Sequence, residues 1–403
     1  MTDSGEMVRP QFVYSLEYTF VDADGHKQES GSAGVIINQD GLEFSSRGHV
    51  SFRIVWREIA SFAPGNVRLQ IRLINNRTLE VSKLGRMYER FVGEVLLGFH
   101  SAPKKSLLMN EEVIDTFDGI HFSVSEDAHG LQQQIGTVYL QKTGVTVVSD
   151  AGVMQRFPFA FIIKILDDSL NFEFHTSFGR CLQLGPMAER TDRFRGTLEA
   201  AAGNLEKNAY EYILSLGGID AAETTQLSRL FLDGRAVSRH ELAQWPQLWE
   251  AMLANLTQAG LHETAAFFMG DAGAAMRICL KRGAVGAQED YLACFFPITA
   301  KDGSRRVVME AALQGSDENA TYVFAVPKED DIELFLDMLN YCLYMINFRR
   351  EPIYMNEEAL AAAGQEDYQD ILALPELRWL KNCFTGRITH DVHWASRVMA
   401  ELF

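Results

Sequence analysis

The chain has only five cysteines in 403 residues, and no two of them form a CxxC pair. Cys181, Cys279, Cys294, Cys342 and Cys383 are scattered and odd in number, which excludes a disulfide framework or a zinc ribbon, since both need close, paired spacing. They read as thiols of a reducing compartment. Long apolar runs are also missing. The nearest to a membrane length, Ile332–Phe348, is broken by Glu333, Asp337, Asn340 and Asn347. The first ten residues, MTDSGEMVRP, lack the basic and apolar segments of a secretory leader. A cytoplasmic protein is expected.

No basic tract occurs. Net charge is −17, and it is uneven: 12 acids stand against 11 bases in residues 1–100, 13 against 9 in 101–200, and 29 against 17 in the rest. Such a chain repels phosphate backbones and anionic lipid surfaces. Nucleic acid and membrane lipid are therefore disfavoured as partners, and a protein partner is expected. The chain also lacks GxSxG, HExxH, GxGxxG and GxxxxGK[ST]. No catalytic residue, cofactor or metal site is assigned. The nearest approach to a metal pair is His390-x-x-His393, which would share a face if helical, with Thr389 as a cap and Asp391 and Cys383 nearby. Nothing local supplies a third ligand. The acid pairs Glu111-Glu112, Asp167-Asp168 and Asp330-Asp331 read as loop or helix-cap charges, because adjacent residues on a strand point to opposite faces.

What is present is an internal repeat. Residues 34–96 align with 137–199 at an offset of 103, without a gap. Val35 meets Val138, Gly41 meets Gly144, Arg53 meets Arg156, and Ile59 meets Ile162. Arg77 meets Arg180, and Arg90-Phe91 meets Arg193-Phe194. Apolar classes agree at Trp56/Phe159, Leu69/Phe172, Ile71/Phe174 and Val81/Leu184. Each copy begins with a hairpin, around Asn38-Gln39-Asp40-Gly41 or Lys142-Thr143-Gly144. The alternations Val67, Leu69, Ile71, Leu73 and Leu170, Phe172, Phe174 mark half-buried antiparallel strands. Turns come next at Asn75-Asn76 and Phe178-Gly179, then a last strand, then helical spacing in Met87, Phe91, Val95. The second helix is expected to reach Leu216 and end at Gly217-Gly218. A further strand precedes each copy, at Phe12–Phe20 and Ile114–Val124, the second followed by the loop Glu126–Gly130. Cys181 reads as a packing position in the last strand, where the first copy has Thr78. The paired arginines read as structural, clamping the helix to the sheet.

Strands closed by one C-terminal helix, twice over, resemble the pleckstrin-homology-like fold across about residues 10–205. The resemblance implies non-enzymatic binding modules. Lipid-binding members place several Lys or Arg in the first hairpin; here Gln39 and Lys142 stand in loops with one base between them, a departure from that pattern. Tandem domains of this kind also occur in acidic histone chaperones.

The rest reads as α+β. Helices are expected at Leu227–Leu232, at Ala236–Gln244 with Ser238 as a cap, and at Leu248–Phe268 opened by Pro246. Strands are expected at Met276–Leu280, Tyr291–Ile298, Arg306–Leu313 and Thr321–Val326, with a turn at Gly315–Asn319. A helix introduced by Asp330-Asp331 comes next, then helical pieces at Glu357–Ala363, Gln369–Leu374, Glu376–Asn382 and Asp391–Leu402. Gly283 and Gly286 are isolated. The expected organisation is repeat 1 over 1–103, repeat 2 over 104–216, a helical region over 217–274, and an α+β region over 275–403 with room for a third, diverged copy. Function is expected to be binding or scaffolding through the tandem modules. The alternatives are an enzyme with its site in the C-terminal region, or an acidic chaperone-like binder of basic proteins. Limited proteolysis of the first 205 residues should leave 34–96 uncut until the fold melts; free cleavage there would overturn the repeat-domain reading.

Overall fold

In the computed structural model the described residues are 13–22, 25–38, 41–46, 49–65, 67–73, 77–104, 111–126, 133–150, 153–216, 219–281, 291–313, 320–328, 330–362 and 374–403. The expected turns at Gln39-Asp40, Asn75-Asn76, Gly217-Gly218 and Gly315–Asn319 lie outside them. So do Gly283, Gly286, most of the loop after Glu126 and the helical piece at 369–373. By backbone contacts the chain divides into two compact units. The first is essentially repeat 1; the second holds repeat 2 and the remainder of the chain, apart from short segments 148–154 and 361–374 that group with the first. The fold is mixed α+β with three antiparallel sheets.

Repeat 1 comprises β1 (Val13–Val21), β2 (Lys27–Asn38), β3 (Gly41–Ser46), β4 (His49–Val55), β5 (Ile59–Pro64), β6 (Arg68–Leu73) and β7 (Thr78–Ser82), then helix α1 (Tyr88–Lys104). Repeat 2 comprises β8 (Val113–Glu126), β9 (Gln134–Gln141), β10 (Gly144–Ser149), β11 (Met154–Pro158), β12 (Ile162–Asp167), β13 (Phe172–Thr176) and β14 (Arg180–Leu184), then α2 (Thr191–Leu216). The strand orders are identical in kind: β4-β3-β2-β1-β7-β6-β5 and β11-β10-β9-β8-β14-β13-β12. The expected runs Phe52–Phe62 and Phe157–Leu166 each divide into two strands around a single 3-10 turn, Trp56–Glu58 and Phe159–Phe161. These turns, and the starts of α1 and α2, keep the 103-residue offset.

Two pairs of positions show why the copies keep one register. Gly41 and Gly144 open equivalent strands, where the neighbouring backbone comes very close. A Cβ at Gly144 would stand 2.7 Å from the Phe157 carbonyl oxygen, and one at Gly41 would collide with the equivalent carbonyl of Ile54. No other residue type fits that approach. The second pair joins helix to sheet. In repeat 1 the Trp56 ring lies directly where a Cβ on Gly98 of α1 would go. Repeat 2 has a smaller ring, Phe159, and a larger helix residue, Ala201, both buried. Volume lost on one side is regained on the other, as close packing requires. Around this contact lie Tyr14, Leu16, Val35, Leu69, Ile71 and Phe91, all buried in one core.

Beyond α2 the chain forms α3 (Ala221–Leu230), β15 (Val237–Ser238), α4 (Pro246–Gln258), α5 (His262–Ala272), β16 (Arg277–Lys281), β17 (Tyr291–Thr299), β18 (Arg305–Leu313) and β19 (Ala320–Ala325). Then come α6 (Ile332–Met345), α7 (Glu351–Tyr354), α8 (Glu357–Ala362), α9 (Pro375–Cys383), β20 (Phe384–Thr389) and α10 (Trp394–Leu402). Asp331 caps α6 by accepting from the backbone N–H groups of Glu333 and Leu334. Three expectations are corrected. Ala236–Gln244 is not a helix: Val237–Ser238 pairs with β16, and reciprocal bonds between Ser238 and Glu241 close only a turn. The Leu248–Phe268 run is two helices, parted at Gly260 with φ +74°. Strand β20, not expected, adds to the edge of the sheet beside β19.

This third sheet runs β15 to β20 in simple sequence order, unlike the two repeats, so it is not a third copy. It also shares one core with the helical region: Leu227, Trp245, Leu256 and Phe268 cluster with Ile278, Phe296, Val308 and Val398. Among the described residues no helix is long and apolar enough to cross a membrane. The Trp56–Gly98 contact yields a direct test. Gly98→Ala should cost about 1–3 kcal/mol by overpacking, read from the denaturant midpoint. Adding Trp56→Phe, which copies the second repeat, should recover part of it; a double variant no better than Gly98→Ala would contradict the packing argument.

Candidate functional site

The second unit is organised around a buried guanidinium. Arg156 projects from β11 with its side chain fully buried. One terminal nitrogen, Nη2, lies 3.0 Å from the Glu111 carboxylate and donates to Thr143 Oγ1 at 2.7 Å. The other, Nη1, donates to Gln141 Oε1. Glu111 also accepts from the Thr143 backbone N–H and hydroxyl, each at 2.9 Å. Glu112 makes an exposed ion pair with Lys142, the surface charge expected of it, whereas Glu111 is taken up by the buried Arg156.

The same strand seats helix α6. The Tyr341 hydroxyl donates to the Arg156 carbonyl and accepts from Arg180 Nη1, both at 3.3 Å. Its ring lies 4.5 Å from Phe178 and 5.6 Å from Phe161, and Tyr344 lies 5.5 Å from Phe161. Burial pushes the Tyr341 hydroxyl well above its ordinary pKa, so it stays a donor. Arg193 fulfils the clamp expected of it: its Nε donates to Asp115 on β8 at 2.8 Å, joining α2 to the sheet. Arg90 pairs along its own helix with Glu94 and also interacts with Tyr14 of β1.

A cleft of about 530 Å³ opens beside this node. One side of α2, with Ala201, Leu205, Ala209 and Tyr212, supplies an apolar wall, completed by Phe231 and Leu280. Asn204, Asn208, Thr143, Glu111 and Asp233 supply polarity. Both carboxylates are committed, Glu111 to Arg156 and Asp233 to Lys281 at 2.5 Å. Burial alone would lower the Lys281 amine, but Asp233 reverses this and holds it raised and charged. Paired charges of this kind orient a ligand better than they transfer protons.

The histidines flagged by spacing do not share a helical face. His390 follows strand β20, and His393 is the residue before α10, with its backbone N–H bonded to Asp391. His390 Nε2 instead lies 2.9 Å from the carboxylate of Glu310, whose side chain is fully buried. Thr321 Oγ1 donates to the same carboxylate at 2.5 Å and accepts from Trp394 Nε1 at 2.7 Å. That hydroxyl is buried and doubly committed, so it cannot serve as a nucleophile. The cluster ties β20 and α10 to the third sheet.

Donor atoms do converge elsewhere. Glu173, His175 and Cys181 bring one ligand atom each within 4.8 Å of the others. Cys181 is not a packing position: it lies on the outer face of the sheet and is half-buried, whereas the other four cysteines are buried. The signal was present, because Leu182 and Leu184 point inward and alternation sends Cys181 outward. Burial, then Glu173, raises its thiol. A soft divalent cation held there would first displace that proton. In repeat 1 the tile is Gln70, Arg72, Thr78 and Glu80, with Gln70 bonded to Glu80 at 2.8 Å. Repeat 2 keeps that bond in reverse, from Gln183 to Glu173 at 3.1 Å.

Sequence reasoning also missed an edge. Strand β12 ends the second sheet and pairs with β13. Its Ile163, Ile165 and Leu166 are 62%, 40% and 40% exposed, and Leu170 just beyond is 49% exposed. No protein-family model matches the chain, and no curated protein sequence is similar to it. The buried node gives the prediction here. Glu111→Ala would strand the Arg156 charge and should cost about 3–5 kcal/mol, seen as a lower unfolding midpoint; a loss under about 1 kcal/mol would mean the Arg156 bonds to Gln141 and Thr143 suffice.

Proposed function

We propose that the protein is a non-enzymatic binding protein built on tandem pleckstrin-homology-like modules, and that it captures an extended segment of another protein along strand β12. The observation that carries this is the apolar edge itself. Single exposed apolar side chains are ordinary, but a run of them on a terminal strand presents unpaired backbone groups beside a hydrophobic surface. Strand addition uses both: main-chain bonds supply affinity and alternate side chains supply specificity. The equivalent strand of repeat 1 ends in Pro64, which cannot donate to a further strand. The edge of repeat 2 has no proline; Lys164 and Asp167 are its only charges.

The modular part of the reading is supported by the duplicated strand order with its closing helix. The enzyme reading is less well supported, since the acids at the cleft and at Glu310 are all tied to bases or hydroxyls. The full-length protein, tagged and recovered at moderate salt, is expected to bring down a stoichiometric protein partner. Ile165→Lys, at an exposed position, should release that partner with little change in thermal midpoint. A protein recovered alone, or a partner indifferent to Ile165→Lys and to Ile163→Pro, would overturn strand capture.

A further inference from the structure

The duplication assigns a second binding site, on repeat 1. We infer that its cleft of about 430 Å³, lined by Phe20, Phe52, Arg53, Glu58, Leu73 and Arg77, receives a tyrosine-bearing helix of a partner protein. In repeat 2 the same positions seat helix α6: Tyr341 touches the Arg156 carbonyl, the Arg180 guanidinium, and the rings of Phe161 and Phe178. At the 103-residue offset the first three are Arg53, Arg77 and Glu58, which line the repeat 1 cleft, and the fourth is Asn75, outside the described residues. Each arginine of the Arg77/Arg180 pair is held over a ring, Arg77 4.4 Å from the Phe20 centroid and Arg180 5.1 Å from Phe157. The guanidinium is therefore presented from a stacked, low-entropy position in both copies.

The differences define the occupant. Repeat 2 has Phe161 against both Tyr341 and Tyr344; repeat 1 has the carboxylate of Glu58 there. Repeat 1 gains rings elsewhere, with Phe52 packed on Phe20 at 5.3 Å where repeat 2 has Gln155 and Ser123. A helix that fits would keep a tyrosine to lie on Phe52, its hydroxyl between Arg77 and the Arg53 carbonyl. One turn on, where α6 carries Tyr344, it would carry Lys or Arg to meet Glu58.

This site lies on a different copy from β12, so each can fail without the other. The test uses the full chain in its native cells with a photo-reactive benzoylphenylalanine at Ser51, an exposed position on the cleft rim. Irradiation should give an adduct whose mapped segment is a helix of another protein containing a tyrosine with a base three or four residues on. Arg77→Ala should lower the yield about tenfold or more, as loss of an anchoring arginine does. Arg53→Ala, which keeps the backbone carbonyl, should change it little. Glu58→Lys is the second variant should Arg77→Ala lower the thermal midpoint, and it should weaken capture similarly. No adduct, an adduct with another copy of this chain, an adduct on a segment without tyrosine, or full yield from both folded variants would overturn the assignment.

Discussion

The guanidinium of Arg156 has no exposed surface, and the second unit is arranged to make that tolerable. A buried cation costs several kcal/mol unless its charge is balanced and its donors are used. Glu111 balances it; Gln141 and Thr143 take its remaining terminal donors. Burial of this strand also gives α6 its seat, because the Arg156 carbonyl is the acceptor for Tyr341. From α6 the constraint passes outward. Arg277 on β16 reaches back to Glu333 and Asp337 of the same helix, and Lys281 reaches Asp233 in the turn after α3. One helix thus holds ion pairs or hydroxyl bonds with repeat 2 on one side and the third sheet on the other.

The same arginine in repeat 1 shows that none of this belongs to the repeat as such. Arg53 is two-thirds exposed and pairs with Glu43 at 2.7 Å. The duplicated sheets share one register, yet Phe161, which meets α6 in repeat 2, stands where repeat 1 has Glu58. Positions facing the core instead keep their class, and where they change they change in pairs, as Trp56/Gly98 and Phe159/Ala201 do.

This contrast explains which features were legible in the chain. Alternation at Leu69, Ile71 and Leu73, and at Phe172 and Phe174, reports burial on one face of a sheet, so the strands and their duplication could be read directly. The helical run to Leu216 and the proline start of α4 were equally visible. Strand β20 was not, because FTGRIT alternates only weakly: Gly386 stands at the middle inward position and only Ile388 is buried. Nor was β15, whose two residues pair only because β16 lies beside them. The burial of Arg156 was invisible for a deeper reason: locally it matches Arg53, and what separates them is a helix some 180 residues on. The exposed face of β12 was hidden likewise, since an apolar strand reads as buried when its neighbours are unknown. Only Cys181 was misplaced against a signal its own strand carries.

Electrostatics bears on the two broad classes of function. Catalysis by side chains needs a charge or donor held ready but uncommitted, with a proton affinity tuned by its surroundings. In the second unit Glu111 is paired with Arg156 and Asp233 with Lys281, while the Glu310 carboxylate lies beside His390 and accepts from Thr321. These contacts hold elements together. Apolar surface is distributed the other way. The covered faces belong to the core, while Ile163, Ile165 and Leu166 stand exposed on a terminal strand. The capture proposed along β12 draws on that strand, where main-chain and side-chain contacts can act together.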